Sequence, residues 1–190
     1  MSAVILAGGQ NSRMGGADKA FLKVGGERII DRTVALLREL FDELIIVSNS
    51  PERYFKKFPE IKIVSDAIKE VGPIGGLQAG LSASSNEAVF VCACDMPALS
   101  AEAITQQRAK FEEKQPDCLI ARYENRLEPL HSIYRRSLLP VIGQLIEAGQ
   151  FSIRDLAGRC RKKSYFDLKR EEKISLLNLN TPEDLKLINE

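Results

Sequence analysis

The apolar positions of this chain fall into short runs that recur along its first half, at Ala3–Ala7, Leu44–Val47, Ile61–Val64 and Ala88–Cys92. Within each run the apolar residues are nearly continuous rather than alternating, the pattern of strands covered on both faces, as in a parallel sheet. Between the first two runs, Ile30, Val34, Leu37 and Phe41 follow at i, i+4, i+7 and i+11 and predict a helix. Further helices are expected at Pro51–Phe58, from about Gly75 to Ala83, and from an N-cap at Ser100 to Glu113. Strand and helix thus alternate, which predicts an open α/β sheet.

The second half is less regular. Strands at Leu119–Tyr123 and Leu127–Tyr134 are expected around a turn at Glu124-Asn125. Ser137 is read as the cap of a helix through Glu147, with Pro140 in its first turn and Gly149 beyond its end. Ser152 and Asp155 mark a short helix, and strands are expected near Ser164–Leu168 and Ile174–Leu179. Thr181-Pro182-Glu183-Asp184 then combines a capping threonine, an N1 proline and an N3 acid at a helix start. Without repeats, low-complexity segments or a Pro/Gly linker, the chain is read as one domain over residues 1–190.

Composition narrows the function classes. A net charge of +1 supplies no global field for nucleic acid or an anionic membrane, so any anion site must be local. Four cysteines with no C-x-x-C spacing and a single histidine argue against a zinc site or a disulfide framework. No signal peptide or membrane-length apolar run is present, and reduced thiols in the cytoplasm are the expectation.

Candidate chemistry gathers after the strands. In open α/β sheets, ligands sit outside the carboxyl ends of the strands. The first strand is followed by Gly8 to Lys19, the second by Ser48-Asn49-Ser50, the third by Ser65-Asp66 and the fourth by Cys94-Asp95-Met96-Pro97. The first of these loops, GGQNSRMGGADK, fits neither a P-loop nor a dinucleotide fingerprint. Its physics is nevertheless that of a phosphate cradle: Gly8 and Gly9 let backbone N–H groups approach an anion, Arg13 adds a planar fork and Lys19 a point charge. The alternative is a solvated glycine loop. Asp95 suits Mg²⁺, which takes one or two carboxylates and completes its shell with phosphates and water, or else caps a turn. Gly75-Gly76 either opens a helix towards a ligand or permits close helix–sheet packing. His131 reads as structural or at a pocket rim, Arg159–Lys163 as a solvated basic surface, and Cys92 and Cys94 as packing residues.

Read together, LAGGQNSRMGGADK, GPIGGL at Gly72–Leu77, CDMP at Cys94–Pro97 and NLNTPEDL at Asn178–Leu185 resemble the molybdenum cofactor guanylyltransferases of the nucleotidyltransferase superfamily. The resemblance runs from the first residues to the last helix. It implies a Rossmann-like α/β/α fold with a mostly parallel sheet, in which residues up to about 100 bind nucleotide and the rest bind the acceptor. It implies Mg²⁺-dependent transfer of GMP from GTP to the terminal phosphate of molybdenum-molybdopterin. Carried over by motif, Leu6, Ala7, Gly8 and Gly9 would touch the nucleotide, Lys19 its phosphates, Asp66 the nucleoside, and Asp95 both nucleotide and metal. Arg13, Lys19 and Asp95 would be the catalytic set, and Asn178 and Asn180 would face the pterin. Either Ser48 or Asn49 would add a nucleotide contact, because VSNSPE departs from the family's usual run here. Transient contact with proteins that deliver or accept the cofactor belongs to the same picture. Three alternatives stay open: a cytidylyltransferase on the same cofactor, transfer to a sugar or polyol phosphate, and a non-catalytic GTP-binding module. LAGG and GPIGG favour guanine over the L-A-A-G pattern that cytidylyl relatives resemble.

Overall fold

The computed structural model describes residues 1–7, 19–65 and 71–176. A seven-stranded sheet runs through them in the order β5-β4-β1-β6-β8-β7-β9. Its members are β1 (Ser2–Leu6), β4 (Leu44–Val47), β5 (Lys62–Val64), β6 (Ala88–Ala93), β7 (Cys118–Tyr123), β8 (Arg126–Arg135) and β9 (Lys163–Asp167). Only β8 is reversed; β5, β4, β1 and β6 form an unbroken parallel block, and β7 runs parallel to β9. The mostly parallel α/β reading of the sequence therefore holds.

Both faces are covered, which is why the strands read as continuous apolar runs. Ala3 and Ile5 point towards α1 (Ile29–Leu40) and α4 (Ala101–Lys114), packing with Ile30, Val34, Leu37, Ile104 and Phe111. Val4 and Leu6 point the other way, towards α3 (Pro73–Ala83), α5 (Leu139–Glu147) and α6 (Ile153–Arg159). The stripe that predicted the first helix is buried as expected, with Phe41 just past the last turn. Ser100 caps α4 by accepting from the amide of Ala103 at 3.1 Å, and Ser152 caps α6 by accepting from Arg154 at 3.2 Å.

Several local expectations change. The helix expected at Pro51–Phe58 is one turn, α2 (Glu52–Phe55), and α3 starts earlier than expected, with Pro73 in its first turn after Gly72 at φ 66°. Ser137 lies inside a 3₁₀ turn, Arg136–Leu138, and does not cap α5. The strand expected from Ile174 is, as far as Leu176, part of the 3₁₀ segment Arg170–Leu176; Glu172 accepts from the Lys169 amide at 2.7 Å and from Ser175 Oγ at 2.6 Å, a local alternative to a ladder. A small hairpin, β2 (Lys23–Val24) and β3 (Glu27–Arg28), turns at Gly25 and Gly26 and was not expected. The Glu124-Asn125 turn is as expected, both residues having positive φ as a two-residue hairpin loop requires. Among the described residues, no helix is long and apolar enough to cross a membrane.

Candidate active site

Register brings the candidate residues together. Leu6 pairs with Val47 on one side and Ala93 on the other, and Val47 pairs with Val64. The last residues of four strands are therefore level. The ladder continues one step beyond them, with the Cys94 amide donating to Leu6 O at 3.0 Å, Ala7 to Val47 O at 2.8 Å and Ser48 to Val64 O at 2.9 Å. The chain thus leaves the four strands side by side, along one edge of the sheet. This is also where the crossovers change direction, since β1 lies between β4 and β6.

On this shelf Lys19 Nζ lies 3.4 Å from Asp95 Oδ2, although the two are 76 residues apart. Lys19 opens the 3₁₀ turn Lys19–Phe21, which is fixed from below. Ala20 is fully buried, and the Phe21 ring tilts against that of Tyr54 with centroids 5.3 Å apart. Asp95 is held in the turn after β6 between the half-buried Cys94 and the buried Met96 and Pro97. The role of Phe21 and Tyr54 in supporting Lys19 had no sequence signature, because it joins two segments only through the fold.

Burial is the largest influence on the Asp95 carboxyl and pushes its pKa up; the charge and hydrogen bond of Lys19, and its own backbone amide, pull the other way without cancelling it. The site thus keeps a poorly hydrated acid that gains from a cation. Among the described residues no three histidine, cysteine, aspartate or glutamate side chains gather as metal ligands. The Asp95 carboxylate is the kind of ligand that suits a hard cation such as Mg²⁺, which takes its other oxygens from phosphates and water.

The remaining expectations divide. Leu6 and Ala7 are buried, with the Leu6 carbonyl and the Ala7 amide already used by the sheet. Ser48 is buried, and its Oγ accepts from the Ser50 amide at 3.1 Å, a turn-making role; Asn49 is exposed on the shelf. Gly8, Gly9, Arg13, Asp66, Asn178 and Asn180 lie outside the described residues, as does the Thr181-Pro182 helix start. Gly76 and Gly80 are packing glycines: an added Cβ would lie 3.1 Å from Leu6 Cδ2 at Gly76 and 2.6 Å from Val4 Cγ1 at Gly80. They let α3 lie close on β1. His131 is fully buried within the sheet, with Nδ1 2.8 Å from Gln107 Nε2 and its ring edge-on to Phe90. Burial lowers its pKa to about 4, so it stays neutral and structural.

Comparison with known proteins gives one family. Residues 3–163 match the MobA-like NTP transferase domain. The molybdenum cofactor guanylyltransferase of Syntrophotalea carbinolica is 35% identical over 189 residues, covering 97% of this chain and 89% of the relative. That of Desulfosudis oleivorans is 28% identical over 190 residues, covering 98% and 93%. Among solved structures, the molybdopterin-guanine dinucleotide biosynthesis protein A of Archaeoglobus fulgidus superposes with a TM-score of 0.84 at 26% identity, covering 100% of this chain and 97% of that one. Sequence, register and these likenesses agree, and the chain belongs to the MobA-like NTP transferase family.

Proposed function

We propose that this chain transfers GMP from GTP to the terminal phosphate of molybdenum-molybdopterin, releasing pyrophosphate and forming molybdopterin guanine dinucleotide. The observation that carries the reading is the meeting of Lys19 and Asp95 on a shelf of four level strand ends, in a chain whose relatives are molybdenum cofactor guanylyltransferases.

The chemistry asks little proton transfer of the protein. An oxygen of the acceptor phosphate, already ionised near neutral pH, attacks the α-phosphorus of GTP; a new P–O bond forms as the α–β anhydride bond breaks and pyrophosphate leaves. The obstacle is bringing two anions together and stabilising the leaving group, a matter of position and charge. Mg²⁺, when bound, neutralises phosphate charge and polarises the α-phosphate. Asp95 anchors that charge beside the nucleotide. Lys19, 3.4 Å away, is placed to engage the triphosphate, with Arg13 and the amides of Gly8 and Gly9 completing the cradle. Asn49, exposed where Ser48 is committed to its turn, is the nucleotide contact after β4, and Asp66 reads the nucleoside. Residues up to about 100 form the nucleotide half; Asn178 and Asn180 belong to the acceptor side. The reaction is placed in the cytoplasm, with transient contact to proteins that supply or receive the cofactor.

Calorimetric titration with GTP, CTP and ATP, each with Mg²⁺, followed by pyrophosphate release with molybdopterin, tests this directly. GTP is expected to bind most tightly and to support release. A preference for CTP would reassign the base, release only with a sugar or polyol phosphate would reassign the acceptor, and binding without release would reduce the chain to a nucleotide-binding module.

A further inference from the structure

On the sheet edge away from the nucleotide shelf, a second reactive arrangement stands apart from the proposed chemistry. Cys118 opens β7 and Cys160 caps the C-terminal end of α6, 42 residues later. Both are free thiols, and their sulfurs lie 3.0 Å apart. A disulfide bond is about 2.0 Å long, so closure asks for roughly 1 Å of movement at the end of a short helix.

The two sulfurs are unequal. Cys118 is fully buried, while Cys160, at the C-terminal end of α6, is 7% exposed. The hydrogen bond from Cys118 is the largest influence on Cys160 and pulls its pKa below the ordinary thiol value, whereas the same contact, together with burial, pushes Cys118 well up. Lys163, opposite Cys118 in the ladder, favours the thiolate, and Asp117 opposes it; the Asp117 carboxylate accepts from the Lys162 amide at 2.9 Å. Arg159, Arg161, Lys162 and Lys163, the immediate sequence neighbours of Cys160, are all exposed. The basic run thus flanks the less buried sulfur in sequence and, through Lys163, favours its thiolate, the setting in which a cysteine becomes nucleophilic.

We propose that Cys118 and Cys160 are a redox site that hydroperoxides convert reversibly into an intramolecular disulfide. The Cys160 thiolate attacks the peroxide oxygen and becomes a sulfenic acid as the O–O bond breaks; the leaving alkoxide, or hydroxide from hydrogen peroxide, takes up the proton the thiol released and departs as an alcohol or water. The Cys118 sulfur then attacks Cys160 as its own proton departs; the S–S bond forms, the S–O bond breaks, and hydroxide leaves with that proton as water. Two thiols lose two protons and two electrons, and the peroxide is reduced by the same two electrons. The product ties the end of α6 to the start of β7. The remaining cysteines serve as internal controls: Cys92 is buried, its thiol pushed up to about 12 by burial and by Asp95, and Cys94 is half-buried on the nucleotide shelf.

The test treats the reduced full-length chain with hydrogen peroxide and maps its peptides without reduction. The expected result is a linked Cys118–Cys160 peptide from a single chain, loss of alkylation at both on the order of tenfold faster than at Cys92, and a Tm raised by about 5–10 °C that a dithiol reverses. Cys118→Ser should stall Cys160 as a sulfenic acid trapped by a cyclic diketone, and Cys160→Ser should leave Cys118 alkylatable. If Cys118 stays alkylatable in the wild type while Cys94 oxidises, or the linked peptides come from two chains, the proposal is wrong; the wild-type map decides even where a variant folds poorly.

Discussion

The two ends of the central sheet each carry a carboxylate, and the same forces act on both with opposite outcomes. At the nucleotide shelf, burial raises Asp95 and its hydrogen bonds and Lys19 do not make up the difference. At the other end, just before β4, burial is again the largest influence on Glu43 and alone would raise it, yet hydrogen bonds from Ser2, Ser85 and Asn86 together hold it below the usual carboxylate range. Glu43 accepts from Ser2 Oγ at 2.5 Å, the Ser85 amide at 3.0 Å and Asn86 Nδ2 at 3.4 Å, while Ser2 Oγ lies 2.6 Å from Ser84 Oγ. The N-terminal ammonium joins through Asn86 Oδ1 at 3.2 Å, and Arg136 donates to Ser84 O at 3.0 Å. At Glu43 the partners outweigh burial and stitch strands together; at Asp95 burial outweighs the partners, which is what the proposed cation role asks of it. The structural carboxylate and the proposed functional one differ in how far their partners offset the cost of burial.

Substitution should separate the two ends. Asp95→Asn removes the charge proposed to hold metal and nucleotide, and turnover in a pyrophosphate-release assay should fall on the order of 10²–10³-fold or more. Its Tm should equal or slightly exceed that of the wild type, because ionising a buried acid with a raised pKa costs stability at neutral pH. A large drop in Tm would make Asp95 a structural acid and erase the contrast. Lys19→Ala should weaken triphosphate engagement more moderately, read as a lower kcat/KM with the fold intact.

Acidification probes the middle of the sheet between these ends. His131 has a folded pKa lowered to about 4, so its stabilising contribution is complete above the unfolded value near 6.5 and is lost as pH falls towards 4. The loss should reach about 3 kcal/mol in denaturant melts across that window, followed at lower pH by the loss of Glu43's contribution as it protonates. His131→Gln should flatten the first phase and leave the second.

Glu43→Ala is the converse of the shelf substitution. It strands the Ser2 and Asn86 donors and should cost about 2 kcal/mol, a Tm fall of roughly 4–8 °C, with kcat/KM unchanged. Reduced turnover at matched folding would mean that the far end communicates with the site.

The smallest effects belong to the packing of α3 on the strand that leads to the shelf. At Gly80 a Cβ would meet the stiff, branched Val4 at 2.6 Å, and Gly80→Ala should cost about 1–2 kcal/mol. At Gly76 it would meet the flexible tip of Leu6 at 3.1 Å, so the helix propensity gained should leave Gly76→Ala within about 0.5 kcal/mol of wild type. Thermal melts of the pair measure the difference.

Much of this was legible in the sequence because parallel strands advertise themselves. Leu44–Val47 reads as a strand on composition alone, and the rule that ligands gather at strand ends placed Lys19 and Asp95 on one edge before any coordinate did. What escaped was short or tertiary. The β2–β3 hairpin has two residues per strand and no periodicity to detect. Ile174 is apolar and β-branched, yet the turn through Leu176 is decided by Glu172 bonding to its neighbours. Neither the Glu43 cluster nor the Cys118–Cys160 pair has any local signature, since each joins residues at least 40 positions apart.

The level ends of β5, β4, β1 and β6 have a consequence for how such an enzyme can diversify. Because the four strands end at one level, the chain after β1 and β6, where the proposed phosphoryl chemistry lies, departs separately from the chain after β4 and β5. On the proposed reading, exchanging the segments after β4 and β5 alters which nucleobase is accepted and leaves the phosphoryl chemistry in place, an architecture modular at its rim and fixed at its middle.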